Sequence, residues 1–184
     1  MIFSWLLFFM PHINVEIKAR CLNPDVIRNY LVKKNAKFIG ADNQTDTYFN
    51  VINGRLKLRE GIIENNLIYY DRNDKAGPKR SSFHLIKITN PQELKEVLKN
   101  SIGIKMIVIK KREIYYIDNV KFHIDDIEGL GSFVEIEAGN ILADKTETEL
   151  LEQCNFYLKE FGITEDDLIA ESYSDILLKK QAIT

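Results

Sequence analysis

From Asn14 to Cys21 the side chains run Asn-Val-Glu-Ile-Lys-Ala-Arg-Cys, polar at every even position and apolar at every odd one. Neighbouring side chains of an extended chain point to opposite faces, so this stretch predicts a strand with one polar and one apolar side. Asn23-Pro24 supplies a helix cap and a proline at the first helical position, and apolar residues at 26, 27, 30 and 31 mark the buried stripe of a helix over 24–32. Strand-like segments at 48–51 and 55–59 flank Asn53-Gly54, which predicts a hairpin turned through the left-handed region. Further strands are predicted over 67–72, 83–88, 104–112, 120–125 and 133–137, with 113–117 continuing the 104–112 strand or pairing beside it. Loops fall at 73–78, at Asp118-Asn119 and at Gly129-Leu130-Gly131. Asn90 caps a second helix over 91–98. A long helix follows over about 146–161, for which Asp144, Thr146 and Thr148 are all candidate caps, then a short one near 165–170.

About eight strands joined mostly by short turns make antiparallel neighbours, and such a set folds into a barrel or a sandwich. Composition agrees with a single globular α+β domain: 184 residues, 45% hydrophobic, 28% charged, with Gly 9 and Pro 4. A net charge of -2 argues against a protein that lives on bulk nucleic acid. Cys21 and Cys154 have neither disulfide-framework nor metal-ligand spacing and read as reduced thiols of a cytoplasmic protein. The opening run MIFSWLLFFM is too short to span a bilayer and lacks a signal peptide's charged start, so no membrane association is expected. Residues 1–10 therefore read as an apolar extension, with Met10 an alternative start, 11–178 as one domain, and 179–184 as a flexible tail.

The polar sides of the strands change this picture. Any one of them alone reads as a solvated outer face. Taken together they are nearly all ionisable and are sorted by sign: Glu16, Asp125, Glu135 and Glu137 against Lys18, Arg20, Arg55, Lys57, Arg59, Arg72, Lys110 and Arg112. Glu135-x-Glu137 puts two carboxylates on one face about 6.5–7 Å apart, within reach of shared metal ions, and hard oxygen ligands suit Mg²⁺ or Mn²⁺. Arg55-x-Lys57-x-Arg59 is a row of cations that repels itself unless an anion sits among them, and phosphate matches arginine geometry best. If these faces turn inward, the hollow must be wet, because an uncompensated dry ion costs several kcal/mol. A triphosphate bridged by divalent ions is the natural occupant.

The segments 14–18, 54–60, 110–112 and 129–137 resemble the CYTH superfamily, the triphosphate tunnel metalloenzymes. Tyr69-Tyr70-Asp71-Arg72, the segment 77–81 and the late segment 171–177 are most similar to its class IV adenylyl cyclase (CyaB-like) branch. The resemblance implies an eight-stranded antiparallel closed β-barrel with peripheral helices, forming a tunnel. The family signature Glu-x-Glu-x-Lys falls on Asn14, Glu16 and Lys18, so an amide replaces the first acid. The resemblance implies Glu16, Asp125, Glu135 and Glu137 as metal ligands, with Asn14 offering a carbonyl oxygen. It implies Lys18, Lys57, Arg59, Arg72, Lys110 and Arg112 as triphosphate contacts, with Lys18, Lys57 and Arg59 at the catalytic position, and extends more weakly to Arg20, Arg55 and Arg80.

Two reactions fit such a tunnel. Water attacks the terminal phosphorus in hydrolysis; the ribose 3′-hydroxyl of ATP attacks the α-phosphorus in cyclisation, and pyrophosphate leaves. The expectation is a metal-dependent phosphohydrolase of a nucleoside or organic triphosphate, with a class IV adenylyl cyclase, or a non-catalytic polyphosphate binder, as alternatives. Tyr48, Tyr70 and Phe83 are either adenine-stacking rings or core. His123 shares the face of Asp125 and either points into the tunnel or packs at its rim.

Overall fold

The computed structural model describes residues 12–71, 75–140 and 143–183, without the side chains of His12, Ser82 and Ile183. The N-terminal extension and Arg72 lie outside the described residues. The elements are β1 (His12–Arg20), α1 (Pro24–Lys33), β2 (Lys37–Phe49), β3 (Arg55–Glu60), β4 (Asn66–Asp71), β5 (Lys79–Lys87), α2 (Pro91–Ile102), β6 (Ile104–Ile117), β7 (Val120–Ile127), β8 (Gly131–Gly139), α3 (Glu147–Glu160), a 3-10 turn (Glu165–Asp167) and α4 (Tyr173–Ile183). The eight strands close in the order β1-β5-β4-β3-β2-β6-β7-β8, every pairing antiparallel.

The core of this molecule lies outside the barrel wall. The odd-numbered residues of β1 (Val15, Ile17, Ala19) and the even-numbered residues of β7 and β8 (Phe122, Ile124, Val134, Ile136, Ala138) face outward and are buried under Ile27 and Leu31 of α1 and Leu150 and Cys154 of α3. Burying each such aliphatic side chain contributes about 1.5–3 kcal/mol. Pro24 follows Asn23 at the start of α1, and Thr146 opens α3 with a capping box, its hydroxyl accepting from the Glu149 amide while the Glu149 carboxylate accepts from the Thr146 amide. Both cysteines are free and buried, and the Cys154 thiol donates to the Val15 carbonyl at 3.1 Å.

With the apolar side outward, the other side of every strand must face the lumen. A second apolar cluster closes one end of it. There Tyr173 and Leu177 of α4 pack on Tyr48, Met106, Val108, Ile127 and Phe133. The helix runs through Ile183, across the stretch whose sequence reads as tail. The segment expected as a short helix near 165–170 is a single 3-10 turn, 165–167. The expected Asn53-Gly54 turn is in fact the end of a five-residue loop, 50–54, because β2 stops at Phe49; only Gly54 (φ 63) takes a left-handed conformation there. Added to Gly54, a Cβ would lie 2.8 Å from the Tyr69 hydroxyl. Among the described residues no helix is long and apolar enough to cross a membrane.

Candidate functional site

A cavity of about 830 Å³ occupies the lumen. Its walls carry Glu16 and Lys18 from β1, Lys57 and Arg59 from β3, Lys110 and Arg112 from β6, Lys121 and His123 from β7, and Glu135 and Glu137 from β8. Period two delivers each of these, since all belong to the lumen-facing parity of their strands. Toward the end opposite α4 the cavity passes Ile63, Leu85, Ile88, Thr89 and Asn119.

On one wall Asp46 of β2 holds the cations together. Lys57 donates to it at 3.0 Å, Lys110 at 2.9 Å, and Arg59 grips both its oxygens at 2.8 and 2.9 Å. Burial opposes the charge on Asp46, but Arg59, Lys110 and Lys57 outweigh it and hold the carboxyl well below the usual carboxylate range. Glu64, from the β3–β4 loop, accepts from Arg59 at 2.8 Å, Lys121 at 2.6 Å and Gln44 at 3.1 Å. That loop is fixed by Asp42, whose carboxylate accepts the Ile62 and Glu64 amides at 2.7 and 3.1 Å. A Cβ at Gly61 would lie 2.4 Å from the same carboxylate, so only glycine fits there.

Across the lumen Arg112 donates to Asp125 through Nε at 2.6 Å and to Glu135 through Nη2 at 2.6 Å. Lys18 reaches Glu135 at 3.1 Å, with its ammonium 3.7 Å from the Tyr173 ring centre. The Tyr173 hydroxyl donates to Asp125 at 3.0 Å. Nearer the open end of the same wall His123 Nδ1 stands 3.1 Å from Glu135 and 3.5 Å from Glu137. Burial first, and Arg112 next, push the His123 imidazole below its ordinary value, which keeps it neutral.

The sequence model of a family described as the CYTH domain matches residues 12–173. The chain belongs to the CYTH family. A protein of Methanocaldococcus jannaschii named as a candidate adenylate cyclase is 30% identical over 175 residues, covering 89% of this chain and 98% of that relative. It supports the resemblance to the class IV adenylyl cyclase branch. A Pyrococcus horikoshii structure superposes with a TM-score of 0.76 at 23% identity, covering 88% of this chain and 98% of that one. A Hippeastrum candidate adenylyl cyclase, described as having a dominant triphosphatase activity, superposes with a TM-score of 0.60 at 17% identity, covering 92% of this chain and 96% of its own.

Of the residues singled out in the sequence, the CYTH barrel brings Asn14, Glu16, Lys18, Lys57, Arg59, Lys110, Arg112, Glu135 and Glu137 to one cavity. Asp125 also faces the lumen but is enclosed between Arg112 and Tyr173, 1% exposed. Arg55 sits near the closed end on Asp175 of α4, at 3.0 Å. Arg20 is exposed and lies over the Phe133 ring. Arg80 is on the outer face of β5, 3.6 Å from Glu147, so the cavity does not receive it. Tyr48, Tyr70 and Phe83 line the cavity where the second apolar cluster packs, so they are both core and cavity wall. Sequence reasoning missed Asp42, Gln44 and Asp46, which sit in the all-polar run Asp-Asn-Gln-Thr-Asp-Thr; it also missed Glu64, Lys121 and Tyr173.

A divalent cation fits these donors. One ligand atom each from His123, Glu135 and Glu137 lie within 4.8 Å of one another. Glu16 stands opposite Glu137 in the β1–β8 register, and Asn14 opposite Gly139. Gly139 leaves room for that amide: a Cβ there would lie 2.5 Å from Asn14 Oδ1.

Proposed function

We propose that this CYTH protein is a divalent-metal-dependent enzyme that hydrolyses a nucleoside or organic triphosphate, with Mg²⁺ or Mn²⁺ as cofactor. The observation that carries this reading is the meeting, within one cavity, of a cluster of carboxylates (Glu16, Glu135, Glu137) and a wall of cations (Lys57, Arg59, Lys110, Lys121). In it the phosphate chain takes over from Asp46 and Glu64 as partner of the cations, so that Lys57, Arg59 and Lys110 orient it and neutralise charge as it builds. Lys18, held by Glu135, faces it from the opposite wall. The metal, bound by Glu16, Glu135 and Glu137, supplies Lewis-acid stabilisation of the phosphoryl oxygens. Ile63, Leu85, Ile88 and Tyr116 offer apolar surface to the organic part of the substrate.

Hydrolysis asks only for water, which a charged cavity of this size admits. Cyclisation asks in addition for a ribose held in place; Tyr48, Tyr70 and Phe83, rings suited to gripping a nucleoside, line the cavity at its apolar end. The second reading, an adenylyl cyclase, is favoured by the name of the Methanocaldococcus relative. One assay separates them: release of phosphate, pyrophosphate and cyclic AMP from ATP and from tripolyphosphate, with Mg²⁺, with Mn²⁺ and with chelator. Metal-dependent phosphate release is the expected result. Cyclic AMP with pyrophosphate would establish the second reading instead, and tight binding without product would leave a polyphosphate-binding protein.

A further inference from the structure

We infer that His123 gives this chain's metal position a nitrogen ligand, and that it thereby tilts the position from Mg²⁺ toward Mn²⁺ and Co²⁺. The inference rests on the metal-dependent reading above and concerns a residue outside the carboxylate pattern of the sequence.

Three observations carry it. His123 is 1% exposed, yet it lines the cavity on the same parity as Lys121 and Asp125 and stands opposite Glu135 in the β7–β8 register. Its Nδ1 lies 3.1 Å from Glu135 Oε2 and 3.5 Å from Glu137 Oε1. Donors sharing a cation through bonds of about 2.1–2.2 Å sit roughly 3.0 Å apart at an octahedral edge and roughly 3.5 Å apart at a tetrahedral one. The two distances from His123 Nδ1 are therefore those of neighbours around one ion, and all three ligand atoms lie within 4.8 Å of one another.

The third observation is the other ring nitrogen. Nε2 is buried and has no hydrogen-bond partner among the described residues. Because no hydrogen bond fixes Nε2, the ring can take either neutral tautomer, and the Nδ1 lone pair is available to a ligand. Without a cation, Nδ1–H donates to Glu135. With a cation bound, His123 would offer its Nδ1 lone pair and carry its proton on Nε2. The ring stays neutral, and the exchange breaks no bond at Nε2.

The carboxylates alone make a thin set here. Glu135 already answers Lys18 and Arg112, and Asn14 brings no charge where the family signature has an acid. Imidazole suits the first-row transition ions, whereas Mg²⁺ keeps to oxygen and gives up water reluctantly.

The test is pulsed electron paramagnetic resonance on the full chain loaded with Mn²⁺ and no nucleotide, beside calorimetric titrations with Mn²⁺ and Mg²⁺. The expected spectrum shows ¹⁴N coupling of a directly bound imidazole, and His123→Asn abolishes it. The expected preference for Mn²⁺ is about tenfold or more, and the variant reduces it mainly by weakening Mn²⁺. Mn²⁺ held by oxygen alone in the unaltered chain would overturn this inference and leave the metal-dependent reading standing. Failure to bind either ion would overturn both. Should His123→Asn not fold, the spectrum of the unaltered chain decides.

Discussion

Asp46 accepts from Lys57, Arg59 and Lys110, so the cation wall brings its own counter-charge, and a phosphate chain must compete with it. Glu64 plays the same part toward Arg59 and Lys121 from a loop at the mouth. Glu64→Gln should tighten tripolyphosphate binding by about threefold to tenfold, read as Kd by calorimetry, since a competing charge-assisted bond is worth about 1.5–3 kcal/mol before water takes part of it back. An unchanged Kd would mean that phosphate never meets Glu64. Lys110 makes the site sensitive to pH. Burial, then Arg112 and Arg59, push its ammonium down to about 7 despite Asp46. A bound phosphate raises that value again, so binding takes up a proton once the pH exceeds about 7. Tripolyphosphate affinity should fall as the pH rises from 7 to 9, and Lys110→Arg should flatten the profile, because arginine stays charged throughout. The two β8 acids should differ in stability. Glu135→Ala strands Lys18 and leaves Arg112 with Asp125 alone, and should lower the urea midpoint by an amount equivalent to about 3 kcal/mol, whereas Glu137→Gln should leave it nearly unchanged. The sequence named the cations because Arg-x-Lys-x-Arg admits few bland explanations. It hid Asp46 because Thr45 and Thr47 flank that acid with polar side chains, and a stretch polar on both sides resembles a loop.

Strands with an apolar side were legible from their period, and their register follows from which side the helices cover. β2 was visible only at its C-terminal end, since its lumen side is Asp42, Gln44 and Asp46 and its pairing with β6 alone makes it a strand of 13 residues. Helix α4 was legible as a family segment but not as a helix, for the helical spacing of Tyr173, Ile176 and Leu177 stops after one turn, where Lys179, Lys180 and Gln181 follow. Its role is to close the barrel. Tyr173 makes an edge contact with Phe133, supports Lys18 with its ring face and donates to Asp125. Tyr173→Phe should cost about 1 kcal/mol through the lost hydrogen bond. Tyr173→Ala should cost about 3–5 kcal/mol and leave a void at the closed end, both measurable by urea unfolding.

At the level of the molecule, the greasy layer between barrel and helices does the folding, and the lumen is left to ions. The closed β1-β5-β4-β3-β2-β6-β7-β8 ring is what makes acids and cations from separate strands face one another. Among the described residues, α4 and its apolar neighbours cover one end, and the cavity opens past Ile63, Leu85, Ile88 and Asn119 at the other. The chamber thus behaves as a cul-de-sac rather than a thoroughfare. If the proposed hydrolysis takes place there, product would retreat along the route by which the reactant arrived, and a lingering fragment would block the next arrival.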